Sequence, residues 1–157
     1  MSKMEEFTAL VSEVTKTIKT MEVNKDLQVF LNESFSPDSD VFKALSALCR
    51  EGMNDGWLGK HEGGGIRYGR VIKPSEETDG FSVDVVLMKD IKGPYHVHPS
   101  GEIDMVVPID ETAEFDGQGL GWKVYKAGSG HYPTVRKGEA IVLYLLPNGE
   151  IDFTKPN

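Results

Sequence analysis

The sequence predicts a mainly β fold fronted by helices: a single domain in which a helical segment, residues 1–55, packs on a small antiparallel β-barrel, residues 56–157. Two observations carry this. Apolar residues recur every three or four positions as far as Cys49, and after Gly56 that spacing gives way to frequent glycines and short alternating runs of Val, Ile, Tyr and Phe. A third is length, since 157 residues suffice for one core and call for no second domain.

Taken in order, Phe7, Leu10, Val11, Val14, Ile18 and Met21 predict an amphipathic helix over residues 5 to about 21. Asn24 is placed to cap a shorter helix through Leu27, Phe30 and Leu31, which Ser36, Pro37 and Asp38 break. A third helix starts on Ser39 or Asp40, runs through Val41, Phe42, Leu45, Leu48 and Cys49, and ends near Gly52. Strands are expected over 66–72, 81–88, 102–109, 122–126 and 139–146, with shorter ones over 95–98, 112–115 and 151–153. That makes about eight strands, enough to close a small barrel.

Composition narrows the function classes. Hydrophobic residues make up 39% and charged residues 27%, an ordinary globular balance, and a net charge of −8 opposes nucleic acid as a partner. No apolar run reaches membrane-spanning length and the first residues lack the pattern of a signal peptide, so a cytoplasmic location is expected. The one cysteine, Cys49, sits beside Leu45 and Leu48 with no histidine near it in sequence and reads as a buried apolar residue.

The stretch Gly93-Pro-Tyr-His-Val-His-Pro-Ser-Gly-Glu102 concentrates the chemistry. His96 and His98 are two apart, which on a strand points both imidazoles to one face. Pro99, Ser100 and Gly101 make a turn, so a hairpin can return Glu102 beside them, and His131 follows the glycine-rich stretch 127–130 from farther along the chain. Three imidazoles and a carboxylate suit a divalent transition metal, Zn, Fe, Mn or Ni, with positions left for water or substrate. The competing reading is a polar barrel lining of hydrogen-bonded imidazoles. If Glu102 faces inward, alternation sends Asp104 inward too, as a second carboxylate for acid–base work.

The pattern His96-x-His98, then Glu102, then Gly128-x-x-His131, resembles the paired motifs of the cupins, small β-barrels with a metal inside. It departs from them at Lys126, where a proline is usual, and at Val135, where asparagine is frequent. Longer phrases are similar to the 4-hydroxylaminobenzoate lyases of bacterial nitroaromatic degradation: Gly64-Gly-Ile-Arg-Tyr-Gly-Arg-Val71, Gly80-Phe-Ser-Val-Asp-Val-Val86, Gly101-Glu-Ile-Asp-Met-Val-Val-Pro108, Gly121-Trp-Lys-Val-Tyr125, His131-Tyr-Pro-Thr134 and Val142-Leu-Tyr-Leu-Leu-Pro147. This resemblance implies a carbon–nitrogen lyase that converts 4-hydroxylaminobenzoate and water to 3,4-dihydroxybenzoate and ammonia. No organic cofactor is expected, because the hydroxylamine nitrogen is itself the oxidant.

A small aromatic acid as substrate gives the remaining residues tasks. Arg67 and Arg70 are candidates for its carboxylate; their odd spacing puts them on opposite faces of a regular strand, so one should reach the interior. Trp57, Tyr68, Tyr95 and Tyr125 are candidates to contact the ring, as are Trp122 and Tyr144. His96, Glu102 and Asp104 are the candidates for catalysis. His61 lies in the glycine-rich stretch 60–65, read as a flexible connector or lid. A homodimer is expected, through sheet edges or the apolar faces of the front helices. The alternatives are a metal-dependent dioxygenase or isomerase acting on an aromatic acid, and a non-catalytic ligand-binding barrel; the front helices lack the basic face of a DNA reader.

Overall fold

A computed structural model describes residues 1–153; the last four positions of the expected domain, 154–157, lie outside the described residues. Three helices come first: α1 (Lys3–Ile18), α2 (Lys25–Ser34) and α3 (Asp40–Asp55). Each begins on the polar residue its N-terminus needs. Ser2 and Glu5 form a reciprocal capping box on α1, Asn24 accepts from Leu27 N on α2, and Ser39 accepts from Phe42 N on α3. Gly56 ends α3 in the left-handed conformation.

Nine strands follow: β1 (His61–Gly63), β2 (Ile66–Ile72), β3 (Phe81–Lys92), β4 (His96–His98), β5 (Glu102–Pro108), β6 (Glu114–Phe115), β7 (Gly121–Tyr125), β8 (Ser129–His131) and β9 (Thr134–Pro147). All expected strands are present except the last, where Asp152 makes only an isolated bridge to Val97. Two strands escaped the sequence reading. β8 is three residues long and carries two of its three positions as Ser and Gly, while β1 makes residues 61–63 an ordered edge strand rather than a flexible lid.

The large antiparallel sheet runs β1-β2-β3-β9-β5-β7, with β6 also on β9, and a second sheet pairs β4 with β8. Alternation along the central strands divides the core in two. Val83, Val85, Ile103, Met105, Val107, Ile141, Leu143, Leu145, Trp122 and Val124 point toward the helices and pack on Phe7, Val11, Leu27, Leu31, Phe42 and Leu45. Met88, Val106, Ala140, Val142, Tyr144 and Leu146 point the other way, into the barrel, with Phe115 and Val135.

The β7 edge is closed by α2. Asn32 Oδ1 accepts from Trp122 N (2.9 Å), Asn32 Nδ2 donates to Trp122 O (3.0 Å), and Gln28 Oε1 accepts from Val124 N (2.9 Å). The buried apolar residues of the helices pack on the sheet. The opposite edge, β1, is exposed along its whole length.

Candidate metal centre and substrate pocket

The site is assembled by the pairing of β4 with β8 and by the turn that follows β4. β4 pairs with β8 so that His96 stands opposite His131 and His98 opposite Ser129. The chain then turns through Gly101, whose φ of 96° and close approach to Val23 and the Tyr125 carbonyl leave no room for a side chain, and Glu102 opens β5 directly behind the imidazoles. One ligand atom from each of His96, His98, Glu102 and His131 lies within 4.8 Å of all the others. Glu102 Oε1 is 3.0 Å from His96 Nε2 and 3.3 Å from His98 Nε2, and Oε2 is 3.3 Å from His131 Nε2.

Protonation logic shows what this cluster fits. The Ser129 hydroxyl donates its one hydrogen to Lys126 O (2.6 Å), so in its 3.0 Å contact with His98 Nδ1 it must accept, which puts the His98 proton on Nδ1. His98 Nε2 then aims a lone pair at the Glu102 carboxylate, acceptor against acceptor, and both that nitrogen and Glu102 Oε2 are buried without a hydrogen bond among the described residues. A cation between them resolves the repulsion. Nitrogen and carboxylate donors in this number suit a divalent transition metal.

Electrostatics act differently on the members of the cluster. Burial opposes ionisation of Glu102, but His131 and His96 beside it hold its carboxyl well below the usual range. Burial, helped by the charges of His131 and His96 and opposed by Glu102, carries His98 down to about 4, keeping it neutral as a ligand must be. Burial likewise disfavours a proton on His131, yet its bonds to Asp116 and Glu102 outweigh this and raise it to about 9. Asp104 is fully buried and neither of its oxygens meets a hydrogen-bond donor among the described residues. Burial and then the charge of Glu102 push its carboxyl well above the carboxylate range.

Beside the cluster opens a pocket of about 590 Å³, a volume typical of small-molecule sites. Its walls are mostly apolar, with Val86, Met88, Leu146 and Phe153 among them; His96 belongs to both pocket and cluster, and Tyr144, also in the wall, meets its ring edge-on at 6.5 Å. The sheet register lays a row of polar side chains across the interior: Arg70 opposite Asp84, Asp84 opposite Tyr144, Tyr144 opposite Asp104, Asp104 opposite Lys123. Arg70 is its cation within the pocket, gripping Asp84 with two nitrogens at 3.0 and 3.2 Å and the Gly149 carbonyl at 3.1 Å.

Similarity to known proteins agrees with this geometry. The family model described as PnbB, 4-hydroxylaminobenzoate lyase, matches residues 9–153. The chain belongs to this family. A 4-hydroxylaminobenzoate lyase of Pseudomonas putida is 34% identical, with 98% of this chain and 97% of that protein covered. One of Nocardioides sp. (strain LMS-CY) is 39% identical over 88% of this chain and 89% of its own. Among solved structures, one from the DMSP lyases RdDddP and RnDddQII overlays with a TM-score of 0.56 at 13% identity, covering 98% of this chain and all of that one. An RmlC-like cupin protein of Ralstonia eutropha JMP134 is also similar, at 13% identity and a TM-score of 0.43 over 56% of this chain and 59% of its own. The architecture is cupin-like, as the paired motifs implied.

The family member's expected site residues separate into two groups. His96, His98, Glu102 and His131 converge, Asp104 adjoins them, and Tyr68 and Arg70 line the pocket. Tyr125 lies over the His131 ring at 4.3 Å and hydrogen-bonds Asp116. Arg67 and Trp57 are not brought to the site. Arg67 points to the helix side, where its guanidinium donates to Gly59 O, Met53 O and Leu58 O at 3.1 to 3.3 Å, and Trp57 packs edge-on against Phe7 at 6.0 Å. Trp122 is buried on that same side, its indole N–H on Phe35 O. Tyr95 rests against Tyr132 at 5.1 Å, beside β8, and is not among the pocket's lining residues.

Two functional candidates went unnoticed in the sequence. Asp116 binds the far nitrogen of His131 at 2.5 Å, and Asp84 braces Arg70. Alternation could have found Asp84, an acid inside the apolar run Phe81–Met88; Asp116 lies in a turn whose docking onto His131 no local pattern announces.

Proposed function

We propose that this protein is a 4-hydroxylaminobenzoate lyase, taking 4-hydroxylaminobenzoate and water to 3,4-dihydroxybenzoate and ammonia. The observation that carries the reading is the meeting of a three-histidine, one-glutamate cluster with an apolar slot whose wall holds one arginine. The balance requires loss of hydroxide from nitrogen with one proton, addition of one water to the ring carbon ortho to it, and addition of a second to the carbon bearing nitrogen. Ammonia then leaves as the ring regains aromaticity, so one water is consumed in net.

Each residue has a task in that sequence. Arg70, whose Nε and Nη2 are held by Asp84 and Gly149, takes the substrate carboxylate through Nη1, a charge-assisted contact that fixes the ring's direction in the slot. Val86, Met88, Tyr144 and Tyr68 flank the ring and exclude water from its faces. His96, His98, Glu102 and His131 would hold a divalent transition metal, which when bound lowers the pKa of a coordinated water by several units. Asp104, buried next to Glu102, is the group placed to hand a proton to the departing hydroxyl and to recover one from the attacking water. Tyr125 acts at one remove, packing against His98 and His131. The physiological form is a cytoplasmic homodimer, with the exposed β1 edge as the strand available for pairing.

The test is anaerobic. Purified protein, its metal content measured as isolated, should release one ammonia and one 3,4-dihydroxybenzoate per 4-hydroxylaminobenzoate without oxygen. Oxygen uptake during turnover would replace this reading with a dioxygenase, and tight binding without turnover would replace it with a ligand-binding barrel.

A further inference from the structure

We propose that Asp116 is a positioning residue for the metal centre, orienting His131 and setting its tautomer from outside the ligand cluster. The inference rests on the metal reading of that cluster. Asp116 follows β6 in a tight turn, with φ at 48° and the turn closed by reciprocal bonds between Phe115 and Gln118. Its two oxygens have separate work. Oδ1 accepts from Thr134 N at 2.8 Å, while Asp116 N donates to Thr134 O at 2.8 Å, which docks the turn on the start of β9. Oδ2 receives both the His131 ring, at 2.5 Å from Nδ1, and the Tyr125 hydroxyl.

A carboxylate can only accept, so Nδ1 of His131 carries a hydrogen whatever the charge of the ring, and once the ring is neutral Nε2 presents its lone pair toward Glu102 and His96, 3.3 and 3.1 Å away. The ring has no freedom to flip, since Tyr125 lies along it at 4.3 Å and Phe115 meets it edge-on at 6.1 Å. His98 has a weaker version of the same device, the neutral Ser129 hydroxyl on Nδ1. The asymmetry has a physical consequence: a carboxylate behind an imidazole raises its basicity toward a cation, and a hydroxyl does so much less. One carboxylate inside the cluster and one behind His131 also match the charge of a divalent ion.

The experiment compares wild type, Asp116→Asn, Asp116→Glu and Tyr125→Phe as full-length chains stripped of metal. Zn²⁺ is titrated against a chromophoric chelator, and metal-free ¹⁵N-histidine spectra, recorded on the basic side of the raised His131 titration so that the ring is neutral, report which of its nitrogens carries hydrogen. Asp116→Asn should weaken Zn²⁺ binding about 10- to 100-fold and mix the His131 tautomers, with Asp116→Glu recovering part of the loss and Tyr125→Phe weakening binding less. A merely structural Asp116 would lower the melting temperature and leave both readouts at wild-type values, which overturns the proposal. Should wild type take up no Zn²⁺, the metal reading fails by itself, and an unchanged His131 tautomer in Asp116→Asn would still be needed to sink the positioning role.

Discussion

Arg67 and Arg70 sit three residues apart on one strand and do unlike work. Arg67 enters the helix-covered side and satisfies the carbonyls that end α3 and begin the turn to β1. Arg70 enters the barrel, faces Asp84 and lines the pocket. The difference belongs to the whole sheet. On the helix side nearly every central-strand residue is apolar and closely packed, whereas the barrel side places Asp84, Asp104, Glu102 and Tyr144 among apolar neighbours. Alternation of period two lets one strand serve a stabilising face and a reactive face at once. Substitutions on the two faces should then be separable, stability on one and turnover on the other.

The sharpest contrast pairs Glu102→Gln with Trp122→Ala. The amide keeps the volume of Glu102 but removes the charge on which three histidines converge, and the lyase rate should fall by about 10²- to 10⁴-fold with the melting temperature little lowered. Trp122, fully buried against Phe42 at 5.9 Å, should cost about 3–5 kcal/mol of folding stability on truncation, read by urea denaturation, while the protein that remains folded keeps its KM. If both variants lose stability and rate in the same proportion, the two faces are not independent.

Exchanging the arginines gives the next largest effect. Arg70→Met removes the pocket's cation and should raise KM for the carboxylate substrate roughly 10- to 100-fold, a loss of about 1.5–3 kcal/mol, with kcat less affected. Arg67→Met leaves three carbonyls short of a donor and should lower stability by about 1–3 kcal/mol without moving KM. Steady-state kinetics beside thermal melts decide it, and a KM effect from Arg67→Met would reverse the assignment.

Asp104→Leu should separate the faces in the opposite sense. This buried acid is held in its protonated form beside Glu102, and no other side chain among the described residues offsets the cost of burying its polar group. Replacing it with an apolar side chain should stabilise the protein by about 1–3 kcal/mol, near 2–4 °C per kcal/mol in a chain of this size, and abolish lyase turnover. A variant that is both less stable and fully active would remove Asp104 from the mechanism.

Much of this division was legible in the sequence because it rests on short-range periodicity. The helix starts at Asn24 and Ser39, the strand at 66–72, the same-face pair His96 and His98 and the inward step from Glu102 to Asp104 all follow from spacings of two to four residues. The opposed arginines followed from alternation as well, although alternation could not say which faced the barrel; that depends on packing against α3, some ten residues away in sequence. Trp57 misled for the same reason, since an aromatic residue fits a ring pocket and a helix interface equally well and only the contact with Phe7 distinguishes them. Asp116 was invisible because its role arises from a turn meeting β8 and β9, where tertiary register matters and local pattern does not.

Cys49 offers the mildest probe of the same comparison. It lies wholly buried on the inner face of α3, toward the helix-covered core, and burial pushes its thiol up to about 12. An unfolded thiol ionises near pH 8.5, so between that value and about 12 the unfolded chain has lost a proton that the folded chain retains. Stability therefore falls as pH rises through this window, and the slope from this one group is about 1.4 kcal/mol per pH unit at most. Folded protein should react with a thiol reagent at pH 8 only at the rate of its own opening, far more slowly than a denatured control. Lyase activity should be untouched by Cys49→Ala apart from a small loss of stability. Rapid labelling of native protein, or a fall in kcat on that substitution, would show that the helix-covered face reaches the chemistry after all.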